Sequence, residues 1–194
     1  MVGSCLKCNK GASLNEEYVA CLLEVAAHGS ADPTSLTREN IARTLTKRPP
    51  LAARLANSLN AAGMFTINDE DRARVSTVIE KMARSLWAFE TSEATHTSTA
   101  EVRYQQIARL NDAQFEVFYK LSDHELIPEV GSRAMIRLLV SEHGILPNRW
   151  IEVQEGRFSY AVELLPGRGR VKMILGDYLA AEVDLISDWD TEPY

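Results

Sequence analysis

Between Asp69 and Glu90, the residues Val75, Val78, Ile79, Met82, Leu86 and Phe89 recur at the three-and-four spacing of one helix face. No other stretch constrains the fold as strongly. Asp69, Glu70 and Asp71 crowd the first turn of this helix, where negative charge meets the positive end of the helix dipole. The period changes after Pro147. Phe158, Tyr160, Val162 and Leu164 alternate with Arg157, Ser159, Ala161 and Glu163, the period-two signature of a half-buried strand. Pro166 to Gly169 ("PGRG") reads as a turn. Trp150–Gln154, Val171–Leu175 and Glu182–Ile186 complete an antiparallel meander. Helical patterns come first and strand patterns last, and such segregation predicts an α+β fold.

Other helices are predicted around this frame. Ser13 and Glu16 fit a capping box, so the first helix is expected to start near Ser13 and carry Val19, Leu22, Leu23 and Ala26 inward. His28-Gly29 reads as its end. Arg38–Leu45 reads as a second helix and Leu51–Ala62 as a third, with Gly63 as C-cap. Two shorter helices are expected at Val102–Leu110 and Asp112–Leu121, with Asn111 capping the latter. Thr91–Thr99 is polar and threonine-rich, a candidate linker. The chain thus divides into an N-terminal half zinc knuckle (1–12), a helical body (13–146) and a β-rich region (147–194) packed on it.

Composition narrows the function classes. The 194 residues are 45% hydrophobic and 25% charged, a globular mixture, and the net charge of -6 gives no global pull toward nucleic acid. No run of about 18 apolar residues exists to cross a bilayer. No signal-peptide pattern opens the chain, and three cysteines are an odd number for a disulfide framework. A cytoplasmic protein with reduced thiols and no membrane partner is expected.

Cys5 and Cys8 have the C-x-x-C spacing of half a zinc site, with Gly3 and Asn9-Lys10-Gly11 suited to a tight knuckle. A redox dithiol usually opens a helix after a strand, which this position does not offer. Cys21 and His28 do not complete the site. Seven residues apart on one helix, they lie about 10 Å apart along its axis, too far for one ion. Cys21 beside Leu22 and Leu23 reads as a buried thiol, and His28 as a dipole partner at a helix end. The missing ligands are expected upstream of Met1 or on a partner chain.

The stretch CLKCNKGASLNEEYVACLLE resembles the second zinc half-site of HNH-type endonuclease-like proteins, through Cys5, Cys8, Asn9, Ser13, Asn15, Glu16, Glu17 and Tyr18. Weaker likeness continues through IEKMARSLWAFE, PEVGSRAM and the β-rich tail. The resemblance implies a ββα-metal motif stapled by structural zinc at Cys5 and Cys8. In it a histidine acts as general base on water, and Asn9 helps hold a catalytic divalent metal such as Mg. The departure is that no histidine precedes Cys5, while His28, His96, His124 and His143 all follow it. The chain is therefore expected to be a C-terminal fragment or remnant of a metal-dependent DNA endonuclease, inactive alone. The alternative is a non-catalytic protein- or DNA-binding module with vestigial cysteines. A homodimer sharing one zinc between two Cys5/Cys8 pairs is a third possibility.

Arg38, Arg43, Lys47, Arg48 and Arg54 face a single acid, Glu39, and are candidate contacts for DNA phosphates or ordinary solvated surface. Asp123, His124 and Glu125 are adjacent on the chain, so their side chains diverge on a helix. Pro166–Lys172 lacks the spacing of a phosphate-binding loop. Trp150, Phe158, Tyr160 and Tyr178 read as cross-strand packing rather than a base-stacking platform. The acidic C-terminus reads as a solvated tail or a charge-protected edge.

Overall fold

The apolar stripe forms a helix, and it lies across a sheet. The computed structural model describes residues 6–60, 62–93, 98–122, 130–133, 135 and 150–186, with side chains from residue 13 onward. Four helices come first: α1 (Leu6–His28), α2 (Glu39–Lys47), α3 (Pro49–Ser58) and α4 (Asp69–Thr91). Then come β1 (Thr99–Gln106), a 3-10 turn at Ile107–Arg109 and α5 (Asp112–Tyr119). The strands β2 (Ile151–Gln154), β3 (Phe158–Leu165), β4 (Arg168–Leu175) and β5 (Leu179–Ile186) follow. Among the described residues the strands form one antiparallel sheet in the order β1-β5-β4-β3-β2, so the fold is α+β. Among them, no helix is long and apolar enough to cross a membrane.

One sheet face packs on α1 and α4. Tyr18, Val19, Cys21, Leu22 and Val25 of α1 and Val75, Val78, Ile79, Ala83 and Trp87 of α4 are buried with Tyr160, Val171, Met173, Val183 and Leu185 of the strands. The stripe on α4 drifts relative to the expected one. Trp87 is buried and Phe89 is 50% exposed, because 3.6 residues per turn carry the inward face to position 87 and then to 90. Position 90 is a fully buried glutamate, whose carboxylate accepts a hydrogen bond from the Tyr160 hydroxyl. Burial first, and then the Glu90 carboxylate, raise the Tyr160 phenol above its ordinary range. Asn68 caps α4 by accepting from the Asp71 amide at 2.9 Å.

Two helical expectations shift markedly in their bounds. α1 starts at Leu6 rather than Ser13, since adding a residue to an existing helix gains a hydrogen bond without a new nucleus. The segment expected to form a tight knuckle is therefore helical from Leu6 on. α3 ends at Ser58, not Ala62. Gly63, at φ +72°, serves a turn that joins Leu59 to Phe65 in an isolated bridge, and Asn60 Oδ1 accepts from the Met64 amide inside it. α5 begins as expected, with Asn111 and Gln114 forming a reciprocal capping box.

The helix expected at Val102–Leu110 is not one. Thr99–Gln106 is β1, paired residue for residue with β5 from Thr99↔Ile186 to Gln106↔Leu179. Ala100, Val102 and Tyr104 turn toward the helices while Thr99, Glu101 and Arg103 are exposed. Pairing with a distant strand overrides weak local helix preference here. The sheet thus takes a strand from within 13–146.

β3 is also not half-buried. Ala161 and Glu163, expected to face solvent, are 0% and 1% exposed. Ala161 belongs to a second apolar cluster on this face, in which Trp150, Ala161 and Ile174 pack with Ile107, Phe118 and Leu121. Trp150 donates to the Tyr119 carbonyl at 2.9 Å and stacks on the Tyr119 ring at 5.1 Å. The buried Lys172 donates to the Lys120 carbonyl at 2.7 Å and lies 3.4 Å from Glu163 Oε2, while Glu163 Oε1 accepts from the Ser122 amide at 2.5 Å. This charged pair ties the end of α5 to the outer sheet face. Beside it, Arg103, Arg168 and Arg170 surround the fully buried Asp184.

The PGRG expectation holds in tighter form. Leu165 pairs with Arg168, so Pro166 and Gly167 alone make the hairpin, with Gly167 at φ +71°.

Candidate functional site

Cys5 lies outside the described residues. Cys8 and Asn9 fall on the helical backbone at the start of α1, and their side chains lie outside the described part. The later residues of the same stretch are described, and they attach α1 to the body. Glu16 Oε1 accepts from Lys81 Nζ of α4 at 2.6 Å. Glu17 Oε1 accepts from Arg48 Nη1, between α2 and α3, at 2.5 Å. Tyr18 is 2% exposed, with the guanidiniums of Arg54 and Arg74 at 5.9 and 5.6 Å from its ring centre. Burial and the neighbouring Asp71 carboxylate push its phenol above the ordinary range.

The five basic candidates separate. Arg54 turns inward, with Nε donating to the buried Asp71 at 3.1 Å and Nη2 reaching Glu70 at 3.2 Å. Arg48 is paired with Glu17. Arg38 is the N-cap residue of α2, and its amide donates to the buried Glu24 at 2.8 Å. Arg43 and Lys47 are exposed one turn apart on α2, with Arg43 donating to Asn40. Glu24 is a buried acid whose role is structural. Its Oε1 also accepts from the Thr37 hydroxyl at 3.0 Å and so anchors the start of α2.

Cys21 is 0% exposed, and its thiol is pushed up to about 11 by burial, with Glu17 adding to the shift. In a chain carrying Cys5→Ser and Cys8→Ser, native Cys21 is expected to react with a disulfide reagent at pH 8 at least roughly a hundredfold more slowly than in urea. Equal rates, read from the absorbance of the released thiolate, would contradict this burial. His28 Nδ1 lies 2.9 Å from the Glu24 carbonyl, a local contact within α1. Among the described residues no three His, Cys, Asp or Glu side chains gather as a metal-ligand set. His96, Asp123, His124, Glu125 and His143 lie outside the described residues.

The reading of Trp150, Phe158, Tyr160 and Tyr178 as packing agrees with the geometry: Phe158 stacks on Tyr160 at 5.8 Å and Phe65 meets Tyr178 edge-on at 6.2 Å.

Sequence reasoning missed a crevice of about 370 Å³ between the start of α4, the end of β1 and the start of β5. Its frame is a hydrogen-bonded clasp on the backbone of Phe65. The Phe65 amide donates to Tyr178 Oη at 3.0 Å, and that hydroxyl donates to Gln106 Oε1 at 2.8 Å. Gln106 Nε2 donates to the Phe65 carbonyl at 2.6 Å, and Arg109 Nη2 lies 3.3 Å from the same oxygen. Leu22, Val75 and Leu179 provide apolar walls. Arg72 and Arg109 supply two positive charges, and among the described residues the lining contains no carboxylate. Asp69 Oδ1 is 3.9 Å from Arg72 Nε, both side chains being well exposed. Tyr104 donates to the Arg72 carbonyl at 3.2 Å. Burial raises the phenols of Tyr104 and Tyr178, opposed by Arg72 in the first case and by the Phe65 amide and Arg109 in the second. The sequence signal was faint, because Arg72, Tyr104, Arg109 and Tyr178 come together only once β1 pairs with β5.

No family model, curated protein or solved structure matches this chain.

Proposed function

We propose that this chain is the C-terminal portion, or a remnant, of an HNH-like metal-dependent DNA endonuclease. The observation that supports the reading is the attachment of α1. Glu16, Glu17 and Tyr18, which carry the resemblance, meet Lys81 of α4, Arg48 between α2 and α3, and Arg54 of α3 with Arg74 of α4. These contacts attach the Glu16–Tyr18 stretch of α1 to the other helices of the body.

The donor chemistry fits half of a site. The thiolates of Cys5 and Cys8 suit zinc, but a structural zinc takes four ligands. Completion requires a further segment, a partner chain or a second copy. Asn9 would help hold a divalent metal such as Mg only within a complete catalytic motif, where that metal stabilises charge on the phosphate. The chain alone is inactive in this reading.

Cobalt(II) titration of the purified chain tests it. The expected result is thiolate-to-cobalt absorption that disappears in a Cys5→Ser/Cys8→Ser variant, with plasmid DNA left uncut in magnesium. Absence of the absorption overturns the zinc half-site. Magnesium-dependent nicking abolished by Asn9→Ala overturns the inactivity. The second reading, a non-catalytic DNA-binding module, is favoured by the exposed Arg43 and Lys47 on α2. Salt-sensitive retardation of the same plasmid, lost in an Arg43→Gln/Lys47→Gln variant, would select it.

A further inference from the structure

We propose that the crevice framed by Phe65, Arg72, Tyr104, Arg109 and Tyr178 binds a small phosphomonoester that also bears a planar ring and is no larger than a nucleoside monophosphate. Charge is the first reason. Among the described residues two guanidiniums line the crevice and no carboxylate does. The ion pair from Arg72 to Asp69, at 3.9 Å, is long and solvent-exposed, so it neutralises little. A phosphomonoester carries close to two negative charges at pH 7 and matches two cations. Guanidinium forks also fit phosphate oxygens geometrically.

The state of the polar groups is the second reason. Tyr178 and Gln106 are already bonded to the Phe65 backbone, so they form a rigid wall. Arg109 uses one N–H on the Phe65 carbonyl, and its guanidinium has further donors to offer. The clasp thus holds Arg109 in place without consuming it. Tyr104 and Ile67, both partly exposed, offer an apolar surface that a charged headgroup alone would not use, with Leu22, Phe65, Val75 and Leu179 buried behind them. A flat, partly apolar body does use it.

Size is the third. A volume of about 370 Å³ lies near the lower end of small-molecule sites, which run from about 300 to 1,000 Å³. It admits a body no larger than a nucleoside monophosphate and excludes a dinucleotide. The residues involved are separate from Cys5, Cys8 and Asn9, so this site and the nuclease reading stand or fall independently.

Phenyl phosphate and 5′-AMP are the probes, with adenosine and inorganic phosphate as the halves of the ligand. Amide NMR shifts of Phe65, Tyr104, Gln106 and Leu179 report occupancy. Saturable binding of at least one whole probe is expected, with both halves weaker. Arg72→Gln and Arg109→Gln are each expected to weaken it about tenfold, the loss of one charge-assisted contact. Arg72→Gln removes an exposed side chain, so its thermal midpoint is expected to match that of the parent and to exclude unfolding as the cause. No saturable shift at millimolar probe, or undiminished affinity in both variants, overturns the proposal. Binding of inorganic phosphate as tight as that of the whole probes overturns the part assigned to the ring.

Discussion

Gly169→Ala is expected to destabilise the protein by about 3 kcal/mol, the upper end for overpacking a filled core. A Cβ at this position would lie 2.4 Å from both Cη2 and Cζ3 of Trp87 and 2.8 Å from Cε3. The indole, 5% exposed, lies against the glycine. Neither side has an easy retreat. Gly169 is on β4, paired with Leu164 on one side and Leu185 on the other, so moving its backbone disturbs two ladders. Trp87 belongs to a 23-residue helix whose inward face is packed along its length. A loss of that size is a large share of a typical stability of about 5–15 kcal/mol. Urea unfolding reads it as a lower midpoint with an unchanged slope. Trp87→Leu in the Gly169→Ala background should recover part of the loss, a coupling expected only between touching residues. A Gly169→Ala chain within about 0.5 kcal/mol of the parent would show that the helix and sheet separate more readily than this contact implies.

Asp184→Asn is the second large effect, expected to cost about 2–3 kcal/mol at pH 7. Asp184 is 0% exposed and accepts from Arg170 Nε at 2.6 Å, Arg170 Nη2 at 3.1 Å and Arg103 Nη2 at 2.6 Å. Arg168 Nη1 lies 3.4 Å away. The amide removes the negative charge and turns an N–H₂ toward guanidiniums that also donate. The cost stays below that of a fully buried pair because Arg103 and Arg168 are 51% and 41% exposed and can return to water. Burial alone would raise the Asp184 carboxyl, but hydrogen bonds from Arg170 and Arg103 outweigh it and hold the group below its ordinary value. A carboxyl depressed by folding contributes stability above its unfolded pKa, about 3.9, and loses it as pH falls through the lower folded value. The gap between parent and variant should therefore stay constant from pH 7 to about pH 5 and close below about pH 4. A gap that closes between pH 7 and 5 would show that another group carries it.

Much of the frame was legible because it is written in local periods. The α4 stripe and the alternation from Phe158 to Leu164 each place an element within a residue or two. Asn111 marks its helix by a cap whose chemistry is confined to three residues. β1 was misread for the opposite reason. Its alternation starts at Thr99, inside a polar stretch, and its partner β5 lies some eighty residues on. Glu163 was misread because its partners, the Ser122 amide past the end of α5 and Lys172 of β4, are announced by no pattern in β3. Glu90 enters the sequence reading only as the bound of a helix, and the opposing Tyr160 makes it an interior residue. The candidate site divides likewise. The C-x-x-C spacing and the run around Glu16, Glu17 and Tyr18 are local and visible. The two-arginine crevice draws on α1, α4, β1 and β5 and exists only in three dimensions.

The strand order gives the earliest strand the latest neighbour. On the ribosome, β1 emerges well before β5, at a synthesis rate of roughly 5–20 residues per second. For several seconds the nascent chain holds α1 and α4 with greasy flanks and a strand with no edge to join. A chaperone that shields such flanks has its natural opportunity in that interval. Translation pauses placed between the codons for Gln106 and Leu179 would lengthen it, and the yield of soluble protein would then depend on codon choice in a stretch far from either helix.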